Sequence, residues 1–289
     1  MKNGVVLAIL SSLVFSVMNA LVKAVSLSIP TAEIVFFRSL IGTMMIYFMM
    51  RYSNVTFSSQ GVPLLVLRGV FGALYLLAYF YTIAKIPLAD ASILAHLSPV
   101  FVIILSVVLL KEKMTKQTIL LVSLVFLGVV LLVKPFHFST YSIYALIGVL
   151  SALFAAGAAI TVRYLSDKHH TYEIVFYFLA TGTMVSIPLM WNTFVVPTPL
   201  ESFYLVCIGV VSLLGQVFLT QAFTHENAAV VSVARYIGIV FNALWGFVFW
   251  AEVPDIVTIL GGICIISACV ALSWKKQRPQ MEKAKLAKS

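Results

Sequence analysis

Long apolar stretches, each followed by a short polar or proline-containing break, recur from one end of the chain to the other. The predicted spans are 4–25, 31–50, 63–83, 88–110, 116–134, 142–164, 172–191, 202–223, 228–250 and 255–274. Each holds about 20 residues, which as an α-helix is enough to cross a hydrocarbon core of about 30 Å. The pattern predicts an all-α polytopic membrane protein with ten transmembrane helices.

Composition agrees with this interpretation. Hydrophobic residues make up 62% of the 289 residues and charged residues 10%, whereas soluble domains have about 25% charged residues. Polar side chains are too few to cover this protein in water, and the breaks are too short to hold a soluble domain. We therefore expect a multi-pass protein whose main surroundings are the lipid bilayer.

The basic residues are unevenly distributed, and their distribution predicts an orientation. If the N-terminus lies in the cytoplasm, most lysines and arginines outside the spans fall on the cytoplasmic side, as the positive-inside rule requires. Both termini are then cytoplasmic. The net charge of +9 includes a basic tail at 275–289, which is typical of an anchor beside anionic lipid. No nucleic-acid partner is expected.

A second pattern is a repeat at a constant offset of 140 residues. TAEIVFFRSLIGTM begins at Thr31, and TYEIVFYFLATGTM begins at Thr171. The predicted units are a first five-helix repeat at 1–140, a second at 141–274 and the basic tail at 275–289. Because five is odd, the second repeat must enter the membrane from the opposite side. The halves are then inverted repeats related by an axis in the membrane plane.

The segment IPLADASILAHLSPVFVIILSVVLLKEK, from Ile86 to Lys113, resembles the EamA type of the drug/metabolite transporter superfamily. The matching features are an Ala-Ser run, Pro99, a long apolar stretch and Glu112. The second half lacks the proline, since Ile239 stands there. EIVFFRS and LRG are similar, more loosely, to the G branch of solute carrier family 35. The resemblance implies ten helices in inverted repeats and a cavity lined mainly by helices 1, 3, 4, 6, 8 and 9. It fixes no substrate.

Three arginines lie within or at the edge of predicted spans. A charged residue at the centre of a membrane helix costs about 2.5–3.5 kcal/mol and usually faces a cavity or a partner. Arg235 is the leading candidate for binding a substrate, followed by Arg38 and Arg68. The structural alternative for Arg38 is a snorkelling or helix-tying arginine, and for Arg68 it is snorkelling to the membrane surface.

His96 is a candidate for substrate binding and for proton coupling, because histidine titrates near neutral pH. The alternative is a histidine that only joins two helices by a hydrogen bond. Pro99, three residues later, is predicted to kink the helix. Tyr236, next to Arg235, is the repeat equivalent of His96. We expect Tyr236 to bind substrate as well, and to face His96 across the pseudo-two-fold axis.

Neutral polar residues within the spans are weaker candidates for lining the cavity. They are Asn19, Tyr75, Tyr79, Gln216, Gln221, Asn242 and Trp245. Each could instead be a hydrogen-bonded contact between helices, worth about 1 kcal/mol. Glu33 and Glu173 stand at equivalent helix starts, where a carboxylate is favourable, and are interpreted as structural. Glu112 and Glu252 are interpreted as structural or related to gating.

Other chemistries find little support in the sequence. There is no GxxxxGK[ST] motif for ATP. The three cysteines (Cys207, Cys264 and Cys269) lie in apolar runs without a CxxC pair, so neither a metal site nor a cofactor is expected. An enzyme would need clustered acidic residues and histidines at one membrane face, and only Asp167 lies near the adjacent His169 and His170.

The sequence therefore predicts a secondary transporter that moves a small polar metabolite by alternating access, coupled to protons or to an exchanged solute. Arg38 and Arg235 favour a solute with a carboxylate or another anionic group, which an arginine fork binds well. One alternative is an exporter of cationic or aromatic amphipathic compounds, and another is a membrane sensor or scaffold that transports nothing. A monomer or weak homodimer in a bacterial inner membrane is expected.

Overall fold

The computed structural model describes residues 4–58, 60–110, 116–133, 140–165, 168–225 and 228–286, and every regular element in these ranges is an α-helix. The helices are α1 Gly4–Val25, α2 Thr31–Tyr52, α3 Val62–Lys85, α4 Leu88–Ala95, α5 Ser98–Leu110, α6 Lys116–Val133, α7 Thr140–Leu165, α8 Thr171–Met190, α9 Pro199–His225, α10 Ala228–Arg235, α11 Ile237–Trp250 and α12 Ile256–Leu286. Glu112 and Asp167, named above, lie outside the described residues.

The described helices supply the ten predicted spans. Seven helical segments are long and apolar enough to cross a membrane, and three shorter apolar segments lie at Leu88–Val102, Ile119–Val133 and Ile256–Ala271. Two spans predicted as continuous are in fact each made of two helices, α4 with α5 and α10 with α11. The last helix also runs on into the basic segment, beyond the predicted end at 274.

The two broken spans break at equivalent positions. His96 follows α4, and Tyr236, its equivalent 140 residues later, follows α10. At each break the helix tightens into i to i−3 bonds, since the Leu97 amide donates to the Leu94 carbonyl at 3.1 Å and the Tyr236 amide to the Val233 carbonyl at 3.1 Å. The breaks are thus a shared feature of the two repeats.

Pro99 does not explain these breaks in the way the sequence suggested. It lies in the first turn of α5, where the amide hydrogen that proline lacks is not needed by the helix. The break comes before it, at His96 and Leu97, and recurs in the second half, where Ile239 replaces the proline. Pro99 therefore starts a new helix after the break, and the break does not require it.

Contacts between helices repeat in the same way. Helix α1 packs against α9, and their equivalents α7 and α3 pack against each other. Helices α2 and α6 each pack against their own equivalent, α8 and α12. This reciprocity is what two inverted five-helix repeats produce around a pseudo-two-fold axis.

Glycines bring the two halves close together at this axis. A Cβ on Gly42 would lie 3.0 Å from the Leu179 side chain, and one on Gly182 would lie 2.9 Å from the Ser39 hydroxyl. Leu179 and Ser39 are themselves repeat equivalents, so one contact between α2 and α8 is made twice. Small residues of this kind let membrane helices approach closely.

The two equivalent glutamates fasten loops of the opposite half. Glu33 accepts a hydrogen bond from the Val195 amide at 3.1 Å, in the loop between α8 and α9. Glu173 accepts one from the Ser58 amide at 2.7 Å, in the loop between α2 and α3. Each carboxylate therefore joins the two repeats, one at each end of the helices, which agrees with the structural interpretation.

We predict that Gly69→Ala destabilises the protein. A Cβ there would overlap the Thr181 side chain and lie 2.9 Å from the Tyr177 carbonyl oxygen, which belongs to the backbone and cannot easily move. Overpacking of this kind costs about 1–3 kcal/mol, so the melting temperature in detergent should fall by several degrees. Gly238→Ala, whose Cβ would meet Ser12 at 3.4 Å, is the matched control. Equal melting temperatures for the two variants would contradict the close packing.

Candidate functional site

A buried hydrogen-bond network joins the two repeats in the interior of the helix bundle. The Asn19 amide donates to the Tyr79 hydroxyl at 3.0 Å and to the Asn242 side-chain oxygen at 3.2 Å. The Asn242 amide donates to the Ser92 hydroxyl at 3.0 Å. The network therefore connects α1, α3, α4 and α11, and Asn19 and Asn242 are 4% and 3% exposed.

Aromatic side chains form one wall beside this network. Tyr75 and Tyr79 lie one turn apart on α3 and stack, with ring centroids 5.6 Å apart and planes 9° from parallel. On the other side the Trp245 indole donates to the Ser16 hydroxyl at 3.0 Å. Tyr79 and Trp245 thus offer flat faces while their polar atoms find partners.

Arg235 ends α10 immediately before the break. Its guanidinium lies within electrostatic range of Tyr75, Tyr79 and His96. Its carbonyl oxygen lies 3.4 Å from the Ser12 hydroxyl, which holds α10 against α1. Among the described residues no carboxylate forms a salt bridge with this guanidinium. The cation is therefore surrounded by hydroxyl and ring groups.

His96 and Tyr236 meet at the two helix breaks. Their ring centroids are 5.2 Å apart, and the Tyr236 hydroxyl lies 3.5 Å from the His96 carbonyl oxygen. The His96 Nδ1 atom lies 2.7 Å from the Ser92 carbonyl oxygen. Since a carbonyl only accepts hydrogen bonds, Nδ1 carries a proton. The expected contact across the pseudo-two-fold axis is therefore present.

A second cluster of cations lies on α2 and α3. Arg38 is 5% exposed, and its guanidinium carbon lies 5.9 Å from the centre of the Phe178 ring and 6.0 Å from that of Phe80. The guanidinium carbon of Arg68 lies 4.6 Å from the same Phe178 ring. Phe178 is the repeat equivalent of Arg38, so the position that differs between the repeated phrases supplies the ring beneath both arginines.

The two arginines keep unused hydrogen-bond donors. Within the described residues, the buried Nε and Nη1 atoms of both Arg38 and Arg68 have no acceptor. A charge at the centre of a membrane helix costs about 2.5–3.5 kcal/mol, whereas a cation–π contact stabilises the cation by about 0.5–2 kcal/mol. The aromatic contacts therefore offset only part of the cost.

A narrow pocket adjoins this second cluster. It lies between α2, α8 and α9 and has room for about one water molecule. Its lining includes Arg38, Val175, Phe178, Leu179, Ser212 and Gln216. The Arg38 side chain therefore borders a narrow opening between the two halves of the bundle.

An ion pair and two hydrogen bonds join the ends of several helices outside this interior network. Lys23, at the end of α1, forms an ion pair with Glu252, which follows α11. The Lys23 ammonium also donates to the Ile86 carbonyl at 2.9 Å, and Glu252 accepts from the Leu88 amide at 2.8 Å. This network ties α1, the junction of α3 with α4, and the end of α11.

The structure thus divides the candidate residues into two groups. The first group lies in and beside the interior network and consists of Asn19, Tyr75, Tyr79, His96, Arg235, Tyr236, Asn242 and Trp245. The second group belongs to the second cluster and its pocket and consists of Arg38, Arg68 and Gln216. Pro99 lies beside the break. Gln221 was placed wrongly, because it is exposed near the end of α9. In the described part of the chain no group of histidine, cysteine or acidic residues could hold a metal ion.

Several residues of the site were missed in the sequence. Ser12, Ser16 and Ser92 carry hydrogen bonds of the network, but serine is common in membrane helices and gave no signal. Phe178, which stands in the second half where Arg38 stands in the first, was not among the candidates. Its role as a partner of two arginines could have been suspected only from its place in the repeat.

Two inverted five-helix halves that enclose buried polar groups at their interface define the class of alternating-access membrane transporters. The model of the EamA-like transporter family matches residues 2–134 and 142–274. The chain belongs to this family. It is a multi-pass membrane transporter of small molecules and not an enzyme.

Two relatives and one solved structure match along nearly the whole chain. The pseudopaline exporter CntI of Pseudomonas aeruginosa is 62% identical over 278 residues, which cover 96% of this chain and 98% of the relative. Solute carrier family 35 member G1 of Homo sapiens is 28% identical over 94% of this chain and 79% of its own length. A crystal structure matches with a TM-score of 0.64 at 18% identity, covering 95% of this chain and 98% of that one, and it supports the fold.

Proposed function

We propose that this protein exports a small metabolite that carries an anionic group, and that pseudopaline or a closely similar compound is the solute. The observation that carries the direction and the solute is the 62% identity with the pseudopaline exporter CntI over 98% of that relative. Export would proceed by alternating access, with the two inverted halves exchanging an inward-open for an outward-open arrangement.

The charges in the interior support an anionic solute. Six acidic residues have side chains that the structure describes, and all six are engaged elsewhere: Glu33, Asp90, Glu173, Glu201, Glu252 and Asp255. None of them lines the network around Arg235 or the pocket beside Arg38. A cationic solute would meet like charges there, so the alternative of a cation exporter is less well supported.

Arg235 is the proposed primary anion-binding residue. It stands at the break between α10 and α11, beside the stacked tyrosines Tyr75 and Tyr79. A carboxylate could take two hydrogen bonds from the guanidinium, while the tyrosine hydroxyls and the Asn19 side-chain oxygen, which has no partner in the described residues, could bind neutral polar groups.

The proposed orientation places both termini in the cytoplasm of a bacterium, with the protein in its inner membrane. The distribution of lysine and arginine supports this placement. The end of the bundle that holds Lys23 and Glu252 would then face away from the cytoplasm.

We predict that Arg235→Gln abolishes most of the export. In Pseudomonas aeruginosa cells without CntI, the wild-type protein should restore extracellular pseudopaline, measured by mass spectrometry. Arg235→Gln should lower it at least about tenfold, because the solute's charge would be buried without a partner. Arg235→Lys should be intermediate, since it keeps the charge without the fork. Arg51→Gln, at an exposed arginine at the end of α2, is the control.

Two results would contradict the proposal. If the wild-type protein is present in the membrane and extracellular pseudopaline does not rise, the solute is a different one. If export is restored equally by the wild-type protein and by Arg235→Gln, the arginine is structural and the anion-binding role is wrong.

We also propose His96 as the group that couples export to protons. Its ring interacts with the backbone of Ser92 on α4 and of Arg235 on α10. A neutral imidazole has one N–H and the protonated ring has two, so protonation changes how the ring can join the two halves at their breaks.

We predict that His96→Gln removes the pH dependence of transport. With purified protein in liposomes, the transport rate of the wild type should change as the pH is lowered from about 8 to about 4, because the ring gains a second N–H on protonation, and the rate of His96→Gln should be nearly flat. His225→Gln, at an exposed histidine at the end of α9, should keep the wild-type profile. A His96→Gln profile that matches the wild type would leave the histidine only a structural role.

A further inference from the structure

Arg38 and Arg68 form a cluster separate from the network around Arg235. We propose that these two arginines are a second anion subsite, so that the transported solute carries two anionic groups, one held by Arg235 and one by this pair. The inference rests on the proposed function and narrows its substrate class to solutes with two carboxylates or equivalent groups.

The first observation is the shortage of partners. Both guanidinium groups bury Nε and Nη1 atoms that have no acceptor among the described residues, and no carboxylate of those residues forms a salt bridge with either group. Arg38 is 5% exposed. A deeply buried cation with unused donors indicates a binding site for an anion that enters from outside the protein.

The second observation is that the cluster is built and held in place. The Phe178 ring contacts both guanidinium groups, with distances of 4.6 Å to Arg68 and 5.9 Å to Arg38. Gly72 leaves room for this arrangement, since a Cβ there would overlap the Phe178 ring and lie 2.5 Å from Nη1 of Arg68. Two like charges therefore share one ring in a defined geometry, which an anion between them would stabilise.

The third observation is that a narrow pocket with further polar groups adjoins the cluster, and that one tyrosine lies within electrostatic range of both subsites. Arg38 lines the pocket between α2, α8 and α9, where Ser212 and Gln216 supply further polar atoms. Tyr75 interacts electrostatically with Arg38 and with Arg235. Tyr75 is thus near both proposed subsites, and the proposal is that one solute spans from one subsite to the other.

The test uses purified full-length protein in detergent and simple carboxylates as probes. Thermal stabilisation gives an apparent affinity for α,ω-dicarboxylates of increasing length and for monocarboxylates of the same length, at constant ionic strength. The wild type should bind the dicarboxylate of best length at least about tenfold more tightly than its monocarboxylate, because the second charge gains its own arginine pair. Arg38→Gln and Arg68→Gln should remove this preference and retain monocarboxylate binding.

Matched variants separate the possible outcomes. Arg51→Gln, on the same helix as Arg38, should behave as the wild type. Arg235→Gln should weaken both kinds of probe. If Arg38→Gln and Arg68→Gln keep the dicarboxylate preference while Arg235→Gln loses binding, the second subsite is wrong and the proposed function stands. If no carboxylate stabilises the wild type, the anionic substrate class fails together with the subsite.

A second inference rests on a different observation, the ion pair at the end of the bundle away from the N-terminus. We infer that Lys23 and Glu252 hold that end closed and must separate before the solute can leave. The inference is independent of the substrate class and rests on the proposed orientation and direction of transport.

The contacts of the pair support this role. Lys23 is 8% exposed and binds both Glu252 and the Ile86 carbonyl, while Glu252 also binds the Leu88 amide. Three segments that flank the interior network are thereby joined: the ends of α1 and α11 and the junction of α3 with α4. In the sequence the repeat equivalent of Lys23 is Arg163, and that of Glu252 is Glu112. A basic and an acidic residue therefore occur at the equivalent positions of the other repeat.

Access of a thiol reagent tests this closure. Cys207, Cys264 and Cys269 are replaced by alanine, and Ser16→Cys places a thiol beside Trp245 in the interior. A membrane-impermeant maleimide added outside intact cells should label this thiol slowly in the otherwise unchanged protein. Lys23→Met and Glu252→Gln should each raise the rate about fivefold or more, because a lost contact shifts the population towards the outward-open state.

The controls make the result specific to the pair. Lys85→Met removes an exposed lysine at the end of α3, on the same side, and should leave the labelling rate unchanged. The double exchange Lys23→Glu with Glu252→Lys should return the rate towards the original value. Rates for Lys23→Met and Glu252→Gln that equal the rate for Lys85→Met would show that the pair does not control opening.

Discussion

The close packing of α2 against its repeat equivalent α8 is the contact on which the rest of the structure depends. Gly42 meets Leu179 and Gly182 meets Ser39, so one contact is made twice across the pseudo-two-fold axis. The same packing places the Phe178 ring beside Arg38, its repeat equivalent. A symmetric scaffold thus produces an asymmetric site, because a charged residue of one half lies against an aromatic residue of the other.

The charged side chains inside the helix bundle are of two kinds, those with an oppositely charged partner and those without one. Lys23 has both a carboxylate and a carbonyl as partners, which is the arrangement expected of a charge that stabilises one conformation. Arg38, Arg68 and Arg235 have no carboxylate partner among the described residues. In a low-dielectric interior such cations remain costly until an anion binds. Binding of an anionic solute would therefore lower the free energy of the occupied site. This gain can favour the change between the inward-open and outward-open conformations.

Much of the fold could be predicted from the sequence, because apolar runs and a constant offset of 140 residues require no knowledge of side-chain contacts. The helix breaks could not, since the break at Tyr236 occurs without a proline. The site was predicted in part. His96 and Tyr236 could be paired from the repeat alone, but the stacking of Arg68 on Phe178 depends on how α3 is rotated towards α8. Helices that are apolar on all faces do not reveal their rotation.

The most direct measurement is the flux of labelled pseudopaline through the purified protein in liposomes, because it tests transport, solute and site together. The account predicts a saturable flux that requires the protein. Unlabelled compound on the opposite side should accelerate this flux, or a pH gradient should drive it. The substitution Arg235→Gln should abolish it. A folded, correctly inserted protein that gives no more flux than protein-free liposomes would contradict the proposed solute. A flux that persists undiminished in Arg235→Gln would contradict the assignment of the site.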